Sequence, residues 1–192
     1  MILPITAYGD PVLRAKAAEI SPNYPKLKEL IDNMYETMYA ASGVGLAAPQ
    51  VGLSIRLFVV DATPMSEDED LTPAEAKTLK TFKKVFINPT IVEEGGKEWD
   101  FNEGCLSIPD IREDVSRKSA LKITYQDADF KTHTETYDGI SARIIQHEYD
   151  HIEGVLFTDK LSPFKKRILK GKLLNISKGK IKVSYKMRFP NA

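Results

Sequence analysis

The stretch Gln146-His147-Glu148-Tyr149-Asp150-His151 decides how the rest of the chain is read. Two histidines four apart, with a glutamate directly after the first, have a simple meaning on a helix. At about 3.6 residues per turn, His147 and His151 stand one above the other on the same face. Their ring nitrogens can then reach one metal ion, and the Glu148 carboxylate can reach a water bound to it. Outward along the same helix, Ile140 and Ile144 fall on the histidine face, Asp138-Gly139 leads in, and Gly154 supplies a C-terminal stop.

A catalytic divalent ion usually takes three protein ligands and keeps one position for water. Candidates for the third are few: Cys105 is the only thiol and His133 the only other histidine. Cys105 stands in the Gly-flanked segment Glu103-Gly104-Cys105-Leu106-Ser107, unlike the apolar run around a buried structural cysteine. A thiolate is also a strong ligand, deprotonated by the metal it binds. Cys105 is therefore the expected third ligand; without the histidine pair it would read as a small buried hydrophobe. His133, in the polar run Lys131–Glu135, reads as a surface residue. Taken alone, the histidine motif also fits a surface helix carrying two histidines by chance.

The chain around this centre predicts an α+β fold, with antiparallel sheets packed around a central helix carrying the histidine motif. Asp10-Pro11 can start a short helix, and Leu27, Leu30, Ile31, Met34, Tyr35 and Met38 trace an amphipathic helix ending near Ser42-Gly43. Gly43 to Gln50 is a small, Gly-rich loop where backbone comes close to something. Ile55 to Val60 reads as a buried strand. The run Ser66-Glu67-Asp68-Glu69-Asp70 opens a surface excursion in which Thr72-Pro73-Ala74-Glu75 caps a short helix. Strands over 85–93 and 98–101 flank a hairpin turn at Gly95-Gly96, and strands over 120–125 and 132–137 flank a turn at 127–131. Ser162-Pro163 begins another helix running through Leu174, and the alternation of Ile181, Val183, Tyr185, Met187 and Phe189 predicts a closing strand over 180–189. No repeated βαβ unit, internal repeat or domain boundary is visible, so residues 1–192 read as one catalytic domain.

Composition bounds the class. With 192 residues, 42% apolar and 28% charged, the chain suits an ordinary globular domain with a real core. No apolar run is long enough to span a bilayer, and the N-terminus lacks the pattern of a signal peptide. A single cysteine excludes an internal disulfide, and together these features predict a cytoplasmic setting with no membrane partner. The net charge of zero hides an asymmetry: residues 163–192 hold 10 Lys and Arg and no Asp or Glu, which leaves 17 basic and 27 acidic residues before them. A solvated amphipathic end explains this, as does contact with RNA or another polyanion. Nothing points to DNA.

Three segments together, Gly43-Val44-Gly45-Leu46-Ala47-Ala48-Pro49-Gln50, Glu103-Gly104-Cys105-Leu106-Ser107 and His147-Glu148-Tyr149-Asp150-His151, make the sequence resemble the peptide deformylase family. That family carries G-x-G-L-A-A-x-Q, E-G-C-L-S and H-E-x-D-H in this order, and no fixed position departs from them here. The resemblance extends from Asp10-Pro11-Val12-Leu13-Arg14 to Leu161-Ser162-Pro163. It implies that Cys105, His147 and His151 bind the metal and that Glu148 is general base, then general acid. It implies that Gln50 and the Leu106 N–H bind the formyl oxygen and that Gly45 offers backbone to the substrate. The substrates it implies are N-formylmethionyl peptides of nascent chains, with formate as a product. Val44, Ile140 and Ile144 are candidate walls of an apolar methionine pocket, and Arg112 a candidate contact to the peptide backbone; each also reads as core or, for Arg112, as a surface ion pair. One sulfur and two nitrogens by themselves read as zinc; the resemblance implies Fe(II), with zinc, nickel or cobalt as substitutes. The acidic excursion and the closing strand depart from shorter members that end in a long helix. Ribosome contact through the basic C-terminal end is accordingly a separate expectation.

Two other readings use the same helix: a metallopeptidase cutting internal bonds, whose third ligand is usually His or Glu, and a structural metal site in an RNA-binding module. Cys105, forty-two residues before His147, argues against the first; only the basic end supports the second.

Overall fold

The fold, described for residues 1–69 and 71–190 in a computed structural model, is an antiparallel sheet wrapped around one helix. Asp70 of the acidic run, and Asn191 and Ala192 of the basic end, lie outside the described residues. The chain opens with β1 (Ile5–Thr6) and a single 3-10 turn, Pro11–Arg14, capped by the Asp10 carboxylate accepting from the Val12 N–H at 3.0 Å. Then come α1 (Leu27–Ala40), β2 (Gly45–Ala47), β3 (Leu57–Asp61) and α2 (Pro73–Leu79). Two long strands, β4 (Lys83–Cys105) and β5 (Ile108–Gln126), lead to β6 (Thr132–Asp138), α3 (Gly139–Ile152), α4 (Pro163–Ser177) and β7 (Met187–Arg188).

The main sheet has the order β2-β3-β4-β5-β6, every neighbouring pair antiparallel. α3 packs against β2, β3, β5 and β6, so the predicted α+β architecture around the histidine helix is the observed one. Strand alternation explains how β3 serves two cores. Phe58 and Val60 join Ala142, Ile145 and Ile152 of α3, with Phe86 stacked on Phe58 at 4.7 Å between ring centres. Leu57 and Val59, on the other face, join Met34 and Met38 of α1. A third cluster sets Leu169, Leu173 and Ile176 of α4 against Ile108, Ile111 and Val115 of β5. All of these side chains are buried, so α3 is held from several sides.

The local capping signals act as predicted. Thr72 and Glu75 form a reciprocal capping box on α2, and Ser162 accepts from the Lys165 N–H at the start of α4. Three expectations are overturned. The segment Gly43 to Gln50 is not a loop throughout: Gly45–Ala47 is β2, paired antiparallel with β3, and Gln50 stands in the 3-10 turn Ala48–Val51. Gly95-Gly96 is no hairpin turn: β4 runs through it as a kink, with Gly96 at φ +76° and a register shift between Gly95 and Glu98. β5 pairs with β4 on both sides of that shift, so the glycines supply a bulge in a continuous ladder. The reversal falls at Leu106-Ser107, which joins β4 to β5. The closing strand over 180–189 is a strand only at β7. Its alternation is real, for Ile181, Val183, Tyr185 and Met187 are each less exposed than their neighbours, and Phe189 is less exposed than Arg188. Among the described residues, however, its paired backbone is the two residues of β1, aligned parallel. Alternation reports an extended chain lying on a surface; it does not supply a partner strand.

Candidate metal centre and its cleft

α3 and the end of β4 build the centre. One turn of helix separates His147 from His151, and Cys105 is the last residue of β4. The ligand atoms of Cys105, His147 and His151 all lie within 4.8 Å of one another, and Cys105 Sγ is 3.2 Å from His151 Nε2. His133 sits apart on β6, bonded to Asp127 at 2.6 Å with its ring against Tyr125.

Gln50 closes a 3-10 turn, Ala48–Val51, and is buried. Its Oε1 accepts from the Ala47 N–H at 2.9 Å, which turns the amide NH2 toward Cys105 Sγ at 3.5 Å and Ser107 Oγ at 3.3 Å. Gly45 lies directly against Glu148, where a methyl group would overlap the carboxylate, so the close approach itself requires glycine. Glu148 is buried, and its Oε2 has no hydrogen-bond partner among the described residues. Burial pushes the Glu148 carboxyl up to about 7.

These groups border a cleft of about 570 Å³. One wall is 41–45, the other the β4–β5 end, and the floor is the face of α3 carrying Ile140, Ile144, His147 and Glu148. Val44, Gly45, Gln50, Leu106, Arg112, Ile140 and Ile144 all line it as expected. Arg112 makes no surface ion pair among the described residues; it donates to the Asn102 side-chain and main-chain oxygens at 2.9 and 2.7 Å. Sequence reasoning missed Met65, Phe101, Arg143 and Tyr185, which also line the cleft. Met65 comes from the acidic excursion and Tyr185 from the basic end, and neither carries a local signal of its neighbours.

The least anticipated feature is the carboxylate of Glu103. Buried, it accepts two bonds from Arg117 (2.6 and 2.9 Å), one from Arg143 (2.8 Å), and faces His147 Nδ1 at 3.0 Å. Burial works against its charge, but His147 and Arg117 hold the carboxyl far below the usual carboxylate range. Arg117 also reaches Asp150 at 2.6 Å, which gives the aspartate of the histidine motif its place. With Nδ1 held, His147 presents Nε2 to the centre. Burial opposes a charge on His147, yet Cys105 and Glu103 raise it well above its ordinary value. Burial and the neighbouring His147 drive His151 well below its own. One sulfur and two imidazole nitrogens converging within 4.8 Å form a donor set that a divalent cation fits.

The family model for polypeptide deformylase matches residues 2–167. The chain belongs to the peptide deformylase family. It is similar to the peptide deformylase of Christiangramia forsetii, 65% identical over all of this chain and 98% of that one. It is 64% identical to that of Flavobacterium johnsoniae, again over all of this chain and 98% of the relative. Among solved structures, a peptide deformylase from Legionella pneumophila superposes with a TM-score of 0.78 at 36% identity, covering 94% of this chain and 98% of its own. Membership makes the chain a metal-dependent hydrolase that removes the N-formyl group from nascent peptides. It also sets aside the internal-bond peptidase and the RNA-binding module.

Glu103→Gln keeps the shape of the carboxylate and removes its charge, leaving Arg143 without a carboxylate partner and Arg117 with Asp150 alone. Losing one member of a buried pair commonly costs ~3–5 kcal/mol, and losing an outer partner of a ligand histidine lowers metal affinity by about 10–100-fold. Urea denaturation and metal titration should show both. Because the folded carboxyl is depressed, its stabilisation is full above the unfolded value of about 4.3 and fades as pH falls below it. The stability gap between wild type and variant should therefore narrow on acidification, and a gap constant with pH would contradict this role.

Proposed function

We propose that Cys105, His147 and His151 hold the catalytic ion and that Glu148 moves the proton in deformylation. The observation carrying this reading is the buried, unpartnered Glu148 Oε2 beside three converging ligand side chains. When bound, a divalent ion supplies Lewis acidity, lowering the pKa of water so that hydroxide is available near neutral pH. Glu148 accepts a proton at its carboxylate and later delivers it to the leaving nitrogen, a task suited to a carboxyl that burial has raised. Attack on the formyl carbon produces a tetrahedral oxyanion. The Gln50 NH2, aimed by the Ala47 N–H, and the Leu106 N–H at the β4–β5 turn donate to that oxygen. Gly45 gives the substrate backbone a close approach, Arg112 contacts the peptide, and Val44, Ile140 and Ile144 form an apolar pocket for the methionine side chain. A formyl carbon bears only hydrogen, so a narrow site admits it and rejects bulkier acyl groups.

The native ion in this reading is Fe(II), with zinc, nickel or cobalt able to replace it, and the enzyme works in the cytoplasm as one catalytic domain. The basic end contacts the ribosome. α4 supports this, for Phe164 and Ile168 are exposed on one side of a helix that also carries Lys165, Lys166, Arg167, Lys170 and Lys172.

Glu148→Ala should lower formate release from an N-formylmethionyl peptide by about 10³-fold or more while metal content stays unchanged; turnover persisting within a few-fold of wild type would remove Glu148 from the reaction. Protein purified without oxygen should carry iron and lose activity in air, with zinc- or nickel-loaded protein resisting that loss; air-stable activity in the iron-loaded form would argue against Fe(II). Binding to ribosomes should weaken steeply with added salt and with charge reversal at Lys166 and Lys170, whereas salt-independent binding would exclude a polyanion contact.

A further inference from the structure

The reaction as assigned above leaves the C-terminal end of the chain without a role, yet one of its residues lines the cleft. Tyr185 is half-buried, borders the cavity, and donates its hydroxyl to the Leu106 carbonyl at 2.8 Å. Leu106 and Ser107 are the two residues of the turn that joins β4 to β5, immediately after Cys105. The carbonyl of Ser107, next along, accepts from the Tyr8 N–H at 2.9 Å. Both carbonyls of the turn are thus held from outside it, by the two ends of the chain.

The parallel pair β1–β7 explains how the two ends arrive together. Ile5 pairs with Met187 and Thr6 with Arg188, the Ile5 N–H donates to the Lys186 carbonyl at 2.8 Å, and the Ala7 N–H donates to the Arg188 carbonyl at 2.9 Å. Tyr185 lies two residues before β7, and Tyr8 two residues after β1. Ile181, Met187 and Phe189 pack on the core that contains Ile108 and Phe157, and Arg188 reaches Thr6 and Asp10. The end of the chain is therefore a strap, anchored on both sides of Tyr185. The Leu106 carbonyl shares a peptide plane with the Ser107 N–H, and the Leu106 N–H shares one with the Cys105 carbonyl, so the two planes are linked through the φ and ψ of Leu106. Leu106 has one further anchor, since its side chain lies against Gly43.

We propose that Tyr185 is a positioning residue for deformylation: by holding the Leu106 carbonyl on one side of the Leu106 Cα, while β4 holds Cys105 on the other, it restricts rotation about the Leu106 backbone and so the direction of the Leu106 N–H. This rests on the assignment of that N–H as a donor to the formyl oxygen. Tyr185 transfers no proton. Its effect belongs to the transition state, because a donor swung off its line costs most where the oxygen carries most charge.

Tyr185→Phe removes the hydroxyl and keeps the ring. In metal-loaded protein, kcat for an N-formylmethionyl peptide should fall about 3–10-fold, the weight of one ordinary hydrogen bond, with KM changed less than about 2-fold. Metal content and Tm should stay near wild type. The preference for formyl over thioformyl substrate should narrow, since sulfur is the poorer acceptor. Amide hydrogen exchange at Leu106 and Ser107 should quicken, a readout independent of turnover. Gln50→Ala, measured alongside, separates the two claims. If it lowers kcat and narrows the thioformyl ratio while Tyr185→Phe does neither, the positioning role is overturned and the oxyanion assignment stands. If neither variant changes the ratio, the oxyanion assignment falls and the positioning role falls with it. A rise in KM at unchanged kcat would make Tyr185 a contact in the cleft wall and also overturn the proposal.

Discussion

A buried carboxylate, Glu103, is the constraint on which the rest of the site depends. It sits two residues before Cys105 on β4, bonds Arg117 of β5, and is met by both Arg143 and His147 of α3. Two consecutive strands and a helix whose Arg143 lies 40 residues further on are thereby joined at one side chain. Apolar packing brings α3 onto the sheet, but it is non-directional and tolerates a shift of the helix along its axis. Bonds of 2.6 to 3.0 Å to a single carboxylate do not. A metal centre with ligands from both β4 and α3 needs that registry, because ligand positions must hold to within a fraction of an ångström.

The energetic logic follows. A buried ion pair is rarely a strong source of stability, since desolvating the charges offsets most of their attraction. Arg117 and Arg143 are nearly inaccessible, and Arg143 is further shielded by the Trp99 and Phe101 rings, 4.7 and 5.7 Å from its guanidinium carbon. An apolar replacement of the whole group would suit the core equally well. What it would not do is orient His147 through Nδ1. The network is better explained by the precision it gives a ligand than by the stability it gives the fold.

Much of this centre was legible in the sequence, and the reasons divide cleanly. The histidine spacing, the single thiol and the Gly-rich segment are local facts, and a helix or a turn reads them without knowing the fold. Local capping was legible for the same cause, as at Thr72 and Ser162. Arg117 could not be placed, because its value lies in a strand register that puts it near Glu103, and register is set across the sheet. The Gly95-Gly96 hairpin failed because two adjacent glycines license either a reversal or a bulge, and the partner strand decides which. Met65 and Tyr185 were missed at the cleft for different reasons. Met65 stands beside a charge run that describes the solvent side, whereas the alternation around Tyr185 showed that it turns inward but not onto which part of the protein.

The charges around the centre then fit a single account. Glu103 and Asp150 are matched by Arg117 and Arg143, with Lys160 also within 3.4 Å of Asp150, so the charges of the supporting network are compensated within the protein. Besides the exposed Asp110, the negative groups left lining the cleft are the Cys105 thiol, once ionised, and the Glu148 carboxyl. In a medium of low polarity an uncompensated charge is costly, and burial accordingly raises Glu148 toward the protonated state. A divalent cation held by Cys105, His147 and His151, as proposed, would reverse that balance, favouring the ionised thiol and the carboxylate together. On the proposed assignment Glu148 would then stand near the point where it can both accept and return a proton. Arg143 lines the cleft, yet its guanidinium is turned onto Glu103 and the Val115 and Trp99 carbonyls, so it gives the Glu148 Oε2 no partner. Glu103 therefore does more than face a histidine: by engaging both guanidiniums it keeps them from pairing with the Glu148 carboxyl.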